Sequence, residues 1–313
     1  MKLKRLIWPL VGLTTIAFSI WLLLGEVRGL SFDEIGDSLS RIGPISWLLA
    51  VLSTLLAYAA LAGYDRIALQ NIGRSVSWLF ITVTSFTAYA LSHNVGASVF
   101  SGAVVRYRAY SSRGLTGAEV GSLVAICSFT FMLGTVFLMG MVLVLQPDIT
   151  ERFVDVLPVA ASRTTGVVLL ALVGLYALGS LLRLRPLRIR SFVLAYPRPV
   201  LVIQQLIIGP LELIGAAGII YFALPDVGNP GFLVVLGIFL VSFSAALISH
   251  APGGLGVLEL LFVTSMPDVD PADVIAALLV FRLFYLIIPF ALALVVILLF
   301  ERSQLSQADP PAA

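Results

Sequence analysis

Two short stretches carry the residues best suited to chemistry. One is Leu91-Ser92-His93-Asn94-Val95-Gly96; the other is Ile248-Ser249-His250-Ala251-Pro252-Gly253-Gly254-Leu255-Gly256. Together they hold both histidines of a 313-residue chain, 157 positions apart, and each interrupts a long apolar run. Asn and Gly break the first run, Pro and three Gly the second, and such residues end helices. A helix broken at bilayer depth must line protein or water, because lipid cannot satisfy the freed backbone groups. A pair of interrupted apolar segments at matching places in two halves is a pointer to a transport site.

Around these breaks the residue types suit an anionic headgroup. A helix starting after Pro252-Gly253-Gly254 aims free N–H groups and a positive dipole end into the space between the breaks. Arg106 and Arg108 follow the first break closely, and a guanidinium fork matches a lipid phosphodiester. Tyr107 and Tyr110 beside them suit the membrane interface. Glu212, Glu259 and Arg282 lie inside apolar runs, where an ionisable group is costly and is either paired or functional. Glu259 stands about a turn and a half past the glycine break, so Arg282 or Arg106 is its expected partner. A structural ion pair and a substrate contact both remain open there. Glu259, Glu212 (two residues after Pro210) or a histidine is the candidate for proton coupling. His93 and His250 are expected to hydrogen-bond freed backbone, with a proton relay as the other reading.

Enzyme motifs are absent from the sequence: there is no His-Glu-x-x-His, no Gly-x-Ser-x-Gly and no P-loop. Two histidines and a single cysteine, Cys127, give no expected metal site. No cofactor and no nucleic-acid partner is expected, and no disulfide can form within the chain.

The elements that position these residues follow from composition. The chain is 59% hydrophobic and 12% charged, with a mean hydropathy of +1.05; a soluble domain carries about 25% charged residues. The expectation is an all-α polytopic membrane protein in one domain, 1–313. Runs of about 20 apolar residues span the hydrocarbon. Full spans are expected at 6–24, 45–64, 120–145, 164–182, 201–222 and 274–299, with broken, re-entrant hairpins at 78–105 and 231–266. The half-repeats are 45–145 and 201–299, and the tail 301–313 is expected to be disordered. The run at 6–24 has no small-residue cleavage site after it and reads as a retained span. Ser31-Phe32-Asp33-Glu34 reads as a capping box opening a short surface helix.

Orientation follows from Lys and Arg. If 78–105 dips in and returns, fourteen of the nineteen Lys and Arg fall on the cytoplasmic side, four outside and Arg282 within the membrane. If it crosses once, Arg183, Arg185, Arg188, Arg190 and Arg198 all turn outward, so the hairpin is favoured. Helix length agrees: Trp78–Ser92 reaches only ~22 Å against a core of ~30 Å. Both termini are then cytoplasmic. In the second hairpin, 231–249 is long enough for a full crossing to remain an alternative.

These residues resemble a known family. Ser92-His93-Asn94-Val95-Gly96 through Gly102 and Val105-Arg106-Tyr107-Arg108-Ala109-Tyr110 resembles the first signature of the lysylphosphatidylglycerol synthase transmembrane (flippase-like) family. Pro252-Gly253-Gly254-Leu255-Gly256-Val257-Leu258-Glu259 resembles the second, and Phe281-Arg282-Leu283-Phe284-Tyr285 with Pro289 its last span. The resemblance implies a stand-alone member, without the soluble domain that aminoacylates phosphatidylglycerol. It implies a lipid translocase of the inner membrane, acting on an anionic phospholipid or an isoprenoid or hopanoid lipid. A lipid-modifying enzyme is an implied partner. The site residues carried over are Asn94, Gly96, Gly102, Arg106, Pro252, Gly253, Gly254, Gly256, Glu259 and Arg282. The competing readings are a membrane-embedded enzyme using His93 or His250, and a non-catalytic partner in a lipid-synthesis complex.

Overall fold

The computed structural model describes residues 32–95, 98–153, 162–183, 187–189, 192–194, 197–249 and 252–308. Over these residues the protein is helical apart from one small ribbon. Helix α1 (Phe32–Arg41) precedes α2 (Pro44–Asn71), and α3 (Trp78–Val95) precedes α4 (Ser98–Ser111). Helix α5 (Gly117–Leu145) leads through a 3-10 turn at Pro147–Phe153 to α6 (Arg163–Leu181). An antiparallel pair, β1 (Leu187–Ile189) and β2 (Phe192–Leu194), stands before α7 (Pro199–Ala223). Helix α8 (Phe232–Ser249) is followed by a 3-10 turn at Pro252–Gly254 and by α9 (Val257–Ser265). The last helix is α10 (Pro271–Phe281) and α11 (Ile288–Ala308), joined by a π-helical segment at Arg282–Ile287.

Among the described residues, six helical segments are long and apolar enough to cross a membrane: Pro44–Asn71, Gly117–Leu145, Arg163–Leu181, Pro199–Ala223, Phe232–Ser249 and Pro271–Phe300. The distribution of side chains is that of a protein dissolved in lipid. Leu48, Leu55, Leu172, Leu175 and Leu298 are exposed on the periphery, whereas Asp65, Arg106, Gln205, Glu212 and Ser242 are buried. This is a polytopic, all-helical membrane protein. Lipid gives apolar side chains no reason to gather, so close backbone approach drives helix association. Helices α2 and α7 form the centre, with Gly215 seated on α2: a Cβ there would stand 2.8 Å from the Ser53 carbonyl oxygen. Gly134 of α5 and Gly209 of α7 cross backbone to backbone, where a Cβ on Gly134 would lie 2.6 Å from the Gly209 carbonyl carbon.

Two helical hairpins stand out. Helix α4 runs back along α3: a Cβ at Gly102 would strike Ser92 Oγ, Arg106 lies over the Tyr89 ring and Tyr110 lies against Phe80. The chain therefore leaves this hairpin on the side where it came in. Helix α9 likewise returns along α8, since Gly237 and Ser265 both meet the Pro147–Phe153 turn. Their mouths lie at opposite ends of the molecule. Arg41 pairs with Asp273 at 3.0 Å, which sets the mouth of the second hairpin beside the start of α2. Six residues separate the first hairpin from the other end of α2, a helix ~42 Å long. One end of the molecule carries Arg66, Arg74, Arg108 and Arg113; the other carries Asp148, Asp268, Asp270 and Asp273.

Some boundaries differ from the sequence expectation. The span at 6–24 lies outside the described residues, and Phe232–Ser249 is itself of spanning length. The second span runs past residue 64 to Asn71. The first hairpin turns after Val95, so Asn94 closes α3 rather than standing in the break. The last helix runs on to Ala308; Glu301–Ala308 contains no breaker ahead of Pro310. Arg185 and Arg190 lie outside the described residues.

Candidate functional site

The two signature stretches meet, and what joins them is the π-segment. Pro289 has no N–H, so the carbonyl of Tyr285, four residues earlier, loses its helical donor. The helix answers by widening: the Ile288 N–H bonds the Leu283 carbonyl, five residues back. Side chains of other helices donate to carbonyls of this segment. Tyr58 Oη donates to the Tyr285 carbonyl at 2.9 Å, and Asn94 Nδ2 donates to the Leu286 carbonyl at 3.1 Å and to the Ala90 carbonyl at 2.8 Å. At the start of the same segment, Arg282 Nη1 donates to the Gly253 carbonyl at 2.9 Å. The first motif thus reaches the segment through Asn94 and the second through Gly253.

Arg282 is also the partner of Glu259, with Nε donating to Oε1 at 2.6 Å and Nη2 touching the same oxygen. Of the two partners expected for Glu259, Arg282 is the one found. The second Glu259 oxygen accepts the Gly256 N–H at 2.8 Å. The start of α9 is therefore capped from within by its own carboxylate, where the sequence suggested an N–H cluster open to a phosphate. Gly253 and Gly256 have φ of 60° and 79°, a region that costs other residues about 1–2 kcal/mol. Pro252, Gly253 and Gly254 form the turn itself.

Arg106 is not beside Glu259. It is 4% exposed and grips Asp65 of α2, with Nε at 3.1 Å from both carboxylate oxygens and Nη2 at 2.8 Å from Oδ1. Tyr110 Oη donates to Asp65 Oδ2 at 2.9 Å, and Cys127 Sγ stands 3.5 Å from Oδ1. The guanidinium also lies 4.4 Å above the Tyr89 ring centre. The sequence reading put Arg106 at the interface with Arg108; only Arg108 is exposed. Asp65 was missed because a twenty-residue span template stops at residue 64. The signal was present: Leu61, Asp65, Ala68 and Leu69 continue the helical period of the buried face beyond that point.

Between the two ion pairs lies a third group. Tyr285 Oη donates a short hydrogen bond to Glu212 Oε1, and the Tyr285 ring stacks on His93 with centroids 4.9 Å apart. Among the described residues, His93 Nδ1 and Glu212 Oε2 are buried without a hydrogen-bond partner. The expected role of His93 as a donor to freed backbone is filled by Asn94 instead. Tyr64 Oη donates to the Gly209 carbonyl at 3.0 Å, one residue before the helix-interrupting Pro210. Gly102 is where α4 and α3 approach most tightly around Arg106, with Arg106 Nη1 at 3.2 Å from the position of a Cβ. Gly96 and His250 lie outside the described residues.

A membrane-embedded core with two ion pairs, a buried acid and two motif-bearing turns can now be set beside known proteins. Residues 10–293 match the family described as the lysylphosphatidylglycerol synthase TM region. The chain belongs to this family. Among curated proteins, it is 29% identical over 290 residues to the Inner membrane protein YbhN of Escherichia coli, covering 90% of this chain and 88% of that protein. It is 28% identical over 290 residues to the Uncharacterized protein slr0712 of Synechocystis, with 92% and 89% covered.

Proposed function

We propose that this protein is a lipid translocase of the inner membrane, moving an anionic phospholipid or an isoprenoid-type lipid between leaflets. The observation that carries the reading is the buried Asp65–Arg106 pair at the side of the first hairpin. A guanidinium that holds a carboxylate by two edges can hold a phosphodiester by the same two edges. On this reading the headgroup phosphate displaces Asp65 from Arg106, and Asp65 keeps the Tyr110 hydroxyl. The acyl tails stay in lipid while the headgroup passes the junction of the two turns. Glu212 with its one unpartnered oxygen, beside Tyr285 and His93, is the proton site of an ion-coupled cycle. Glu259 and Arg282 lock the second turn to the last helix. The arginine-bearing end faces the cytoplasm, by the distribution of basic residues.

Reconstitution into liposomes with labelled phosphatidylglycerol tests this. The native protein is expected to speed transbilayer movement above that of protein-free liposomes, and the paired variant Asp65→Asn/Arg106→Gln to abolish the gain while remaining folded. Equal movement by the two proteins refutes the role given to the pair. The unpartnered His93 Nδ1 also fits an acid–base residue of an embedded enzyme; that reading requires a chemically altered lipid, which mass spectrometry of the same vesicles would detect.

A further inference from the structure

A cavity of about 200 Å³ opens between the end of α2 and the start of α3, apart from the ion pairs described above. Its walls join two kinds of surface. Leu69 and Ile81 are buried and apolar, while Arg66, Gln70, Arg74 and Ser75 supply hydrogen-bond donors. Trp78 stands at the mouth, half exposed, with the Arg66 guanidinium 4.8 Å above its ring centre.

Most donors of this cavity are free among the described residues. Arg66 contacts no carboxylate there, and its guanidinium lies over the Trp78 ring. Arg74 bonds only through Nε among these residues, to Glu119 Oε1 at 2.7 Å. The other Glu119 oxygen is held by Thr116, through its N–H at 2.7 Å and its hydroxyl at 2.9 Å. Glu119 therefore orients Arg74 and, among the described residues, the two terminal nitrogens of that guanidinium are left unbonded. Arg66 and Arg74 against Glu119 leave one net positive charge at the cavity. Leu79, next to Trp78, is 75% exposed, so an apolar surface continues outward from the mouth.

We infer that this cavity binds the phosphodiester of an anionic membrane lipid, with the phosphate between Arg66 and Arg74 and the acyl chains running over Trp78 and Leu79. Guanidinium groups with free edges suit the phosphate, and tryptophan suits the level of the headgroups. A soluble phosphate ester offers the same group, and competition against the membrane lipid separates the two sources. This site does not depend on lipid movement: a protein that moves no lipid in liposomes can still show it.

The test uses Trp78 as the sole tryptophan, excited at about 295 nm to spare tyrosine, in the full chain with Trp8→Phe, Trp21→Phe and Trp47→Phe, reconstituted in vesicles. Brominated phosphatidylglycerol is expected to quench Trp78 more strongly than brominated phosphatidylcholine at equal mole fraction. Arg66→Gln is expected to reduce the relative affinity about fivefold, and Arg74→Gln by a similar factor, as one charge near the surface is worth about 1 kcal/mol. Equal quenching by the two lipids, or a preference that survives both substitutions together, overturns the inference. Relief of quenching by millimolar glycerol phosphate assigns the specificity to the phosphate ester alone; its absence, with the preference intact, assigns it to the membrane-anchored lipid.

Discussion

The Asp65–Arg106 pair gives the sharpest prediction, because its two halves fail differently. Both side chains are almost wholly buried, at 0% and 5% exposure, and three N–H···O contacts of 2.8–3.1 Å join them. Removing one partner of a buried pair costs about 3–5 kcal/mol, chiefly through the charge left behind. Asp65→Asn strands a guanidinium that cannot lose its proton, so the full cost is expected at any working pH. Arg106→Gln strands a carboxylate that keeps the Tyr110 hydroxyl as a donor, so its loss is expected at the low end of that range. The double variant Asp65→Asn/Arg106→Gln carries no stranded charge and should recover a coupling energy of about 1–3 kcal/mol relative to the summed single losses. Steric-trap unfolding in bicelles measures all four proteins on one scale. A double variant as unstable as that sum would show the pair is not an electrostatic unit.

Gly102→Ala should destabilise by about 1–3 kcal/mol through overpacking, since a Cβ meets Ser92 Oγ; thermal melts should show partial rescue by Ser92→Ala. Asn94→Leu should cost about 1–3 kcal/mol by leaving the Leu286 carbonyl unpaired, and amide exchange should rise in the Arg282–Ile287 segment. Gly253→Ala should cost about 1–2 kcal/mol from its left-handed backbone, measured in the same unfolding assay, whereas Gly174→Ala, with open space at its Cβ position, should not destabilise.

Spans and charge distribution could be read from the sequence because lipid imposes one long apolar run on each crossing. The partnership of Glu259 with Arg282 could be read for the same reason: few ionisable groups lie at depth, so few pairings exist. Asp65 was hidden because it abuts Arg66, and the two adjacent charges look like the end of a span. On the helix they point about 100° apart, one into the core and one towards the interface. The junction of the two motifs was legible only in part. Pro289 announces a freed carbonyl at Tyr285, but no local pattern says that Tyr58 and Asn94 supply the donors; that depends on how helices distant in sequence come together.

The π-segment at Arg282–Ile287 holds one residue more than an α-helix needs over the same rise. Such a surplus can travel along a helix like a crease along a carpet, leaving the length outside unchanged. Each step turns the intervening side chains by about 100°. Movement of the surplus past Arg282 would swing its guanidinium away from both Glu259 and the Gly253 carbonyl, while the ends of the last helix stay fixed. Such a movement would loosen the second turn without sliding or unwinding the last span.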